Sequence, residues 1–244
     1  MTYKFQLSKW QLFAWSTGLL LSTPLFFLLF ESLQGNSEVF SHLWDTVLWD
    51  YISNTVLLIL GVCVLSCAIA LPLGWLTAYC SFPGKKQFEW ALMLPLAMPT
   101  YIIAYVYTDL LDYAGPVQNT LRDWFGWQSP DDYWFFDIRT LPGAIVMLAL
   151  VLYPYLYLIF KTALREQSFK LVQASQLMGL SSWQSFFRVS LVLSRGAIVA
   201  ALALISMETM ADFATVSYFA VSTLTTAVYD TWFGYYSLTA AAKI

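Results

Sequence analysis

Apolar residues in this chain arrive in long blocks, without the strict 3.6-residue alternation of a helix that lies on a soluble core. Five blocks are long enough to cross a hydrocarbon layer of about 30 Å at about 1.5 Å per residue. They run roughly Leu12–Phe30, Thr55–Cys80, Glu89–Leu111, Leu141–Phe160 and Gly196–Val216. A further apolar stretch starts at Ser237-Leu238-Thr239-Ala240-Ala241-Ala242 and stops at Ile244, which reads as a sixth span cut short. The expected fold class is an all-α polytopic membrane protein, with an N-terminal span and first outer connection over 1–50 and the main body over 51–244. Prolines fall inside the blocks at Pro24, Pro72, Pro95, Pro99 and Pro154. Membrane helices tolerate them because neighbouring groups re-satisfy the freed carbonyls. Pro95 and Pro99, four apart, predict a kinked or locally unwound third span.

Composition agrees with lipid as the main solvent. The chain is 59% hydrophobic and only 11% charged, against about 25% charged in an ordinary soluble domain. The first block follows Lys4 and Lys9 and exits through Glu31 to Asn36 with no small-x-small cleavage site, so it is read as a retained span and not a signal peptide.

Basic residues set the orientation. With the N-terminus inside, the inner segments hold Lys4, Lys9, Lys85, Lys86, Lys161, Arg165, Lys170, Arg188 and Arg195, while the outer ones hold Arg122 and Arg139. The outer connections carry acids instead, Glu31, Glu38, Asp45 and Asp50 in one and Asp112, Asp123, Asp131, Asp132 and Asp137 in the other. The second of these, about 112–140, is rich in Trp, Tyr and Phe. It reads either as an interfacial aromatic belt or as a docking surface for an extracytoplasmic partner.

No enzyme constellation is present in the sequence. Gly84-Lys85-Lys86 is a basic turn and lacks the spacing of a phosphate cradle. His42 has no second histidine to work with and reads as a solvated loop residue. Cys63 and Cys67 share a helix face but read as small apolar residues, as does Cys80. No cofactor and no nucleic-acid partner is expected, and any ATP would be hydrolysed by another subunit.

Two polar features stand out. The inner segment 171–183 contains Gln173, Ala174, Ser175, Gly179, Leu180 and Trp183, with Ser181-Ser182 after the glycine. A helix, a glycine stop and a new serine N-cap predict a helix–turn–helix that lies on the membrane or docks in a partner's groove. The other feature is Glu208 and Asp212, four apart near the outer end of the fifth block. Arg195 lies thirteen residues earlier, about 20 Å along a helix, too far for a salt bridge. Carboxylates at membrane depth usually face a cavity or a partner, so the two read either as lining a cation path, with Asp109 a further member, or as interfacial acids near water.

These residues resemble a known family. Gln173-Ala174-Ser175, Gly179 and Val189-Ser190-Leu191-Val192 are similar to the cytoplasmic loop of binding-protein-dependent ABC importer permeases, patterned Glu-Ala-Ala-x-x-x-Gly and then Ile-x-Leu-Pro. Gln173 stands in place of the usual Glu and Val192 in place of the usual Pro. Leu94-Pro95-Leu96-Ala97-Met98-Pro99-Thr100-Tyr101, Ala104–Asp112, Gly115-Pro116, Val151–Tyr155, Met207–Phe213, Tyr218–Tyr229 and Trp232-Phe233-Gly234 resemble the iron(III) permeases of that class. The resemblance covers about Tyr51 to the end.

It implies a type I ABC importer transmembrane fold in the inner membrane, and a chain about twice this length with a second permease half. It also implies a cytoplasmic ABC ATPase dimer and a periplasmic iron-binding protein. Fe(III) prefers hard oxygen ligands, so Glu208, Asp212 and Tyr218 become candidate transient contacts for it. The alternatives are the same importer class with thiamine, sulfate or a polyamine, or a membrane scaffold without transport.

Overall fold

The computed structural model describes residues 8–34, 38–166 and 169–244, and all regular structure among them is helical. Lys4, Asn36 and the side chain of Lys170 lie outside the described residues. The chain divides into two compact units, Met1–Trp49 with Ala227–Ile244, and Asp50–Thr226.

In the first unit, α1 (Lys9–Leu33) opens on a capping box. The Ser8 amide donates to Gln11 Oε1 at 2.9 Å, and the Gln11 amide donates to Ser8 Oγ at 3.3 Å. The helix continues through Pro24 and has no buried residue. Its hydroxyls turn inward: Ser22 and Thr23 donate to carbonyls one turn back at 2.8 and 3.1 Å. A helix surrounded by lipid has this need, because no water is there to satisfy them. The next helix, α2 (Glu38–Thr46), places His42 on an exposed helical face, where a loop was expected.

The second unit begins in α3 (Leu48–Tyr79), which passes Pro72 unbroken and, at about 48 Å, exceeds the hydrocarbon thickness. Beyond it the third apolar block is crossed in pieces: α4 (Lys85–Ala91), a 3-10 turn (Leu94–Ala97) and α5 (Thr100–Leu111). Met98 is extended, at φ −112° and ψ 135°, as a residue before proline must be. The block expected as a kinked or locally unwound span is three segments. One break falls at Leu92–Met93, just before the turn that holds Pro95, and the other at Met98–Pro99, where proline removes an N–H donor.

After α6 (Pro116–Phe125) comes α7 (Leu141–Glu166), the central helix, with Tyr157 and Phe160 fully enclosed. Glycines of α3 permit close approach to it. A Cβ at Gly61 would lie 2.6 Å from Ile145, and one at Gly74 would lie 2.8 Å from Phe160. Small residues at crossings are how membrane helices gain packing without a hydrophobic drive. Cys63 and Cys67 pack half-buried against this core, and the Cys63 thiol lies 3.3 Å from Ser206 Oγ.

The rest of the unit is α8 (Phe169–Leu177), α9 (Ser182–Ser185), a π turn (Phe186–Ser190), α10 (Leu191–Leu193), α11 (Arg195–Ala211) and α12 (Ala214–Tyr218). The fifth block was expected to run to Val216, but its helix stops at Ala211. Two short helices follow, α13 (Leu224–Tyr229) and, after a π turn, α14 (Leu238–Lys243). The last packs on α1, with Thr239 Oγ1 donating to Glu31 at 2.6 Å. Among the described residues, α1, α3 and α7 are long and apolar enough to cross a membrane. The pair Ser182–Leu193 and Arg195–Ala211, bent by 72°, forms a fourth such span when taken together.

Candidate functional site

The polar segment expected as helix–turn–helix folds as one. Helix α8 ends in a left-handed turn at Gly179, φ 92°, a conformation L side chains rarely adopt. The Leu180 amide donates to the Ser175 carbonyl at 3.1 Å, and the Gly179 amide donates to the Gln176 carbonyl at 2.9 Å. This is the paired closure of a Schellman turn. Ser181 then caps α9 reciprocally with Gln184, at 3.2 and 3.0 Å.

A buried seam joins the two arms. Ser175 Oγ donates to the Val172 carbonyl at 2.7 Å, which leaves its lone pair for the Ser185 hydroxyl 2.7 Å away. Both serines are buried. Trp183 stacks on Phe186, and Phe186 meets Trp75 of α3 edge-on at 5.6 Å, which seats the hairpin on the bundle. Its tip points away from the core: Leu177 is 88% and Met178 78% exposed. Gln173 and Ala174 are also exposed, and Leu180 is half-buried.

The far end of α11 contains a different arrangement. Asp212 ends α11, and its carboxylate accepts from the Thr215 amide (2.8 Å), the Thr215 hydroxyl (2.9 Å), the Val216 amide (3.3 Å) and the Thr100 hydroxyl (2.8 Å). An anion at the start of α12 suits the exposed amides there. Thr100 is the first residue of α5, so Asp212 ties the restart of the broken third block to the break in the fifth. Irregular backbone at membrane depth persists only where it is buried in protein or lines a cavity, and discontinuous helices that meet are a recurrent way of building solute paths.

Glu208 and Asp109 are exposed and do not join this junction. Tyr218 lies edge-on to Tyr105 at 6.0 Å, with the Arg139 guanidinium 5.6 Å from its ring centre. Among the described residues no group of three or more His, Cys, Asp or Glu is placed to hold a metal ion.

The aromatic connection is an ordered cap. Phe125, Trp127 and Tyr133 stack at 4.7 and 4.6 Å, and the Tyr133 hydroxyl donates to Gln118 at 2.6 Å. Gln118 in turn donates to the Leu111 carbonyl at 2.8 Å, and Arg122 lies over the Tyr113 ring at 4.1 Å. Asp112, Tyr113, Gln118, Tyr133, Trp134 and Asp137 contribute to the walls of a cleft of about 430 Å³. Asp132 accepts from the Gln128 and Ser129 amides at 2.8 and 2.9 Å, and these bonds hold its carboxyl below the usual aspartate range.

Residues 70–240, from the last turns of α3 to α14, match the model of the binding-protein-dependent transport system inner membrane component family. The chain belongs to that family. Over 171 residues it is 30% identical to the molybdenum transport system permease protein ModB of Escherichia coli K12, covering 68% of this chain and 71% of that one. It is 24% identical over 207 residues to the sulfate transport system permease protein CysW of the same organism, 82% of this chain and 66% of that one. By structure it resembles a chain of a bacterial alginate ABC transporter crystallised with its alginate-bound periplasmic protein. The TM-score is 0.74 at 16% identity, covering 96% of this chain and 86% of that one. The permease is thus a multi-pass inner-membrane ABC importer component with the all-helical type I fold.

Sequence reasoning missed Thr100, Ser185 and Glu89. Asp212 followed by Thr215 and the i, i+4 pair Lys85 and Glu89 were the local signals available for two of them.

Proposed function

We propose that this permease carries its solute across the bilayer by alternating between outward and inward openings. A separate cytoplasmic ATPase dimer drives the change through the hairpin at Gln173–Trp183. The exposed apolar tip at Leu177 and Met178, set on a buried serine seam, carries this reading. It is a stiff knob of the kind that fits a partner's groove. The N-terminus is cytoplasmic in this reading, by the excess of inner Lys and Arg.

A periplasmic binding protein delivers the solute at the outer face, where the aromatic cap offers a cleft. The chain acts with a second permease half, fused or as a second copy. The solute is ferric ion, an assignment that rests on the iron-permease resemblance over 94–116 and 207–234. Glu208, Asp109 and Tyr218 act as passing contacts, since a conduit must release its cargo. A second reading is a tetrahedral oxyanion, supported by the molybdenum and sulfate relatives and by the Arg139 guanidinium beside Tyr218.

The test is ATP hydrolysis by the permease purified with its ATPase and binding protein, with ferric citrate, molybdate or sulfate added. Stimulation by ferric citrate is expected. Stimulation by molybdate or sulfate alone would replace the solute and leave the coupling standing, whereas failure of any ATPase to co-purify would remove the coupling role of the hairpin.

A further inference from the structure

A charge cluster unrelated to the solute path lies where α4 meets the last turns of α7. Glu89 has three cations around it: Lys161 at 3.1 Å, Arg165 at 3.3 Å and Lys85 at 3.9 Å. Lys161 is nearly enclosed, its ammonium also held by the Tyr157 hydroxyl at 3.1 Å, and Lys85 donates to the Cys80 carbonyl at 2.8 Å. Lys86, next in the chain after Lys85, is exposed and forms no ion pair among the described residues, and Glu166 at the end of α7 is exposed too. One carboxylate among three cations leaves positive charge over, and half of the Arg165 side chain is free to the outside.

An apolar groove starts two residues beyond Glu89. It has a volume of about 290 Å³, begins at Ala91 and Leu94, and is walled by Met98, Ile102 and Val106 on one side and Val151 on the other. Val151 is ten residues from Lys161 on α7, about 15 Å, which is the depth of one leaflet of a 30 Å core. Trp90, which directly precedes Ala91 in the chain, is 63% exposed, and tryptophan favours the headgroup level.

We propose that this is a site for one anionic phospholipid, its phosphate on Arg165, Lys86 and Lys85 and an acyl chain in the groove. Charge selects the occupant. Arg165 offers a planar fork that matches phosphate oxygens, and basic pockets between membrane helices are the usual seats of anionic headgroups. The apolar face of a partner helix would fill the groove and leave the cations unanswered. The inference does not depend on which solute is carried.

The assay uses the intact permease–ATPase assembly, exchanged into nanodiscs of phosphatidylcholine with a minor fraction of phosphatidylglycerol, with retained lipid read by native mass spectrometry. Lys86→Gln with Arg165→Gln, both exposed, should weaken phosphatidylglycerol retention about thirtyfold, as expected when two basic groups leave a headgroup-level site. Phosphatidylcholine should be unaffected. Ile102→Trp, which fills the groove without touching the cations, should also expel the lipid. Equal retention by wild type and both variants would overturn the proposal. So would displacement by inorganic phosphate with no effect of Ile102→Trp, which marks a free-anion site. Loss of a second permease copy in Ile102→Trp with lipid retention unchanged would assign the groove to a protein interface and likewise overturn it.

Discussion

Replacing Gly179 isolates the backbone of the hairpin from its contacts. A Cβ built there meets nothing within 4 Å, so Gly179→Ala adds no clash; its whole effect is to force an L side chain to φ 92°. That conformation costs about 1–2 kcal/mol for a residue with a Cβ, which changes the ratio of closed to open turn about 5–30-fold. Asparagine tolerates the left-handed region better than alanine, because its short polar side chain bonds locally. Gly179→Asn should therefore recover part of the loss although it is the bulkier change. Amide exchange at residues 179 and 180 reads this directly, since those two N–H groups close the turn onto the Gln176 and Ser175 carbonyls. Protection should fall in the order Gly, Asn, Ala, and association with the ATPase should follow the same order. An asparagine variant as weak as alanine, or weaker, would refute the conformational reasoning and point to a steric role at the partner surface.

Other substitutions separate structure from transport. Ala220 closes a second turn of the same kind, its amide donating to the Ser217 carbonyl and that of Val221 to Val216, but with φ 53° on a residue that has a Cβ. Ala220→Gly should therefore raise stability by about 1 kcal/mol, seen as a higher unfolding temperature; no gain would show that the turn is unstrained. Asp212→Asn exchanges a four-bond carboxylate for a group with one acceptor oxygen and should destabilise by about 1–3 kcal/mol. Exposed Glu208→Gln should stay within about 0.5 kcal/mol yet cut uptake, and normal uptake would remove Glu208 from the path. The lowered carboxyl of Asp132 contributes stability that is fully present above the ordinary aspartate range and is lost as pH falls through its folded value. Trp127 fluorescence should accordingly be flat from neutral pH to mild acid and change only below that range. A transition in mild acid would contradict the assignment, and Asp132→Asn should abolish the acid step.

What the sequence made legible was local. The hairpin could be read because its stop and restart, Gly179 and Ser181, lie within three residues and each acts on its own backbone. Pro95 and Pro99 announced a kinked or locally unwound third block for the same reason, and three helical pieces are found. The serine seam was hidden because Ser175 and Ser185, ten residues apart, each look solvated until the turn brings them together. Asp212 was read as a path carboxylate because its Thr100 partner is 112 residues away; only the nearby Thr215 hinted at a cap. Glu89 looked like the edge of an apolar block, since two of its three cations come from α7, more than seventy residues on. Solute identity is least legible of all, because a transient contact leaves no dense ligand cluster to recognise.

The most direct measurement is the location of the hairpin tip. With Cys63, Cys67 and Cys80 replaced, Leu177→Cys provides one exposed thiol at the proposed motor contact. A membrane-impermeant maleimide should label it in inside-out vesicles and not in intact cells, and a short crosslinker should join it to the ATPase subunit. Labelling from outside in intact cells would place the knob on the wrong face of the membrane and contradict the coupling mechanism.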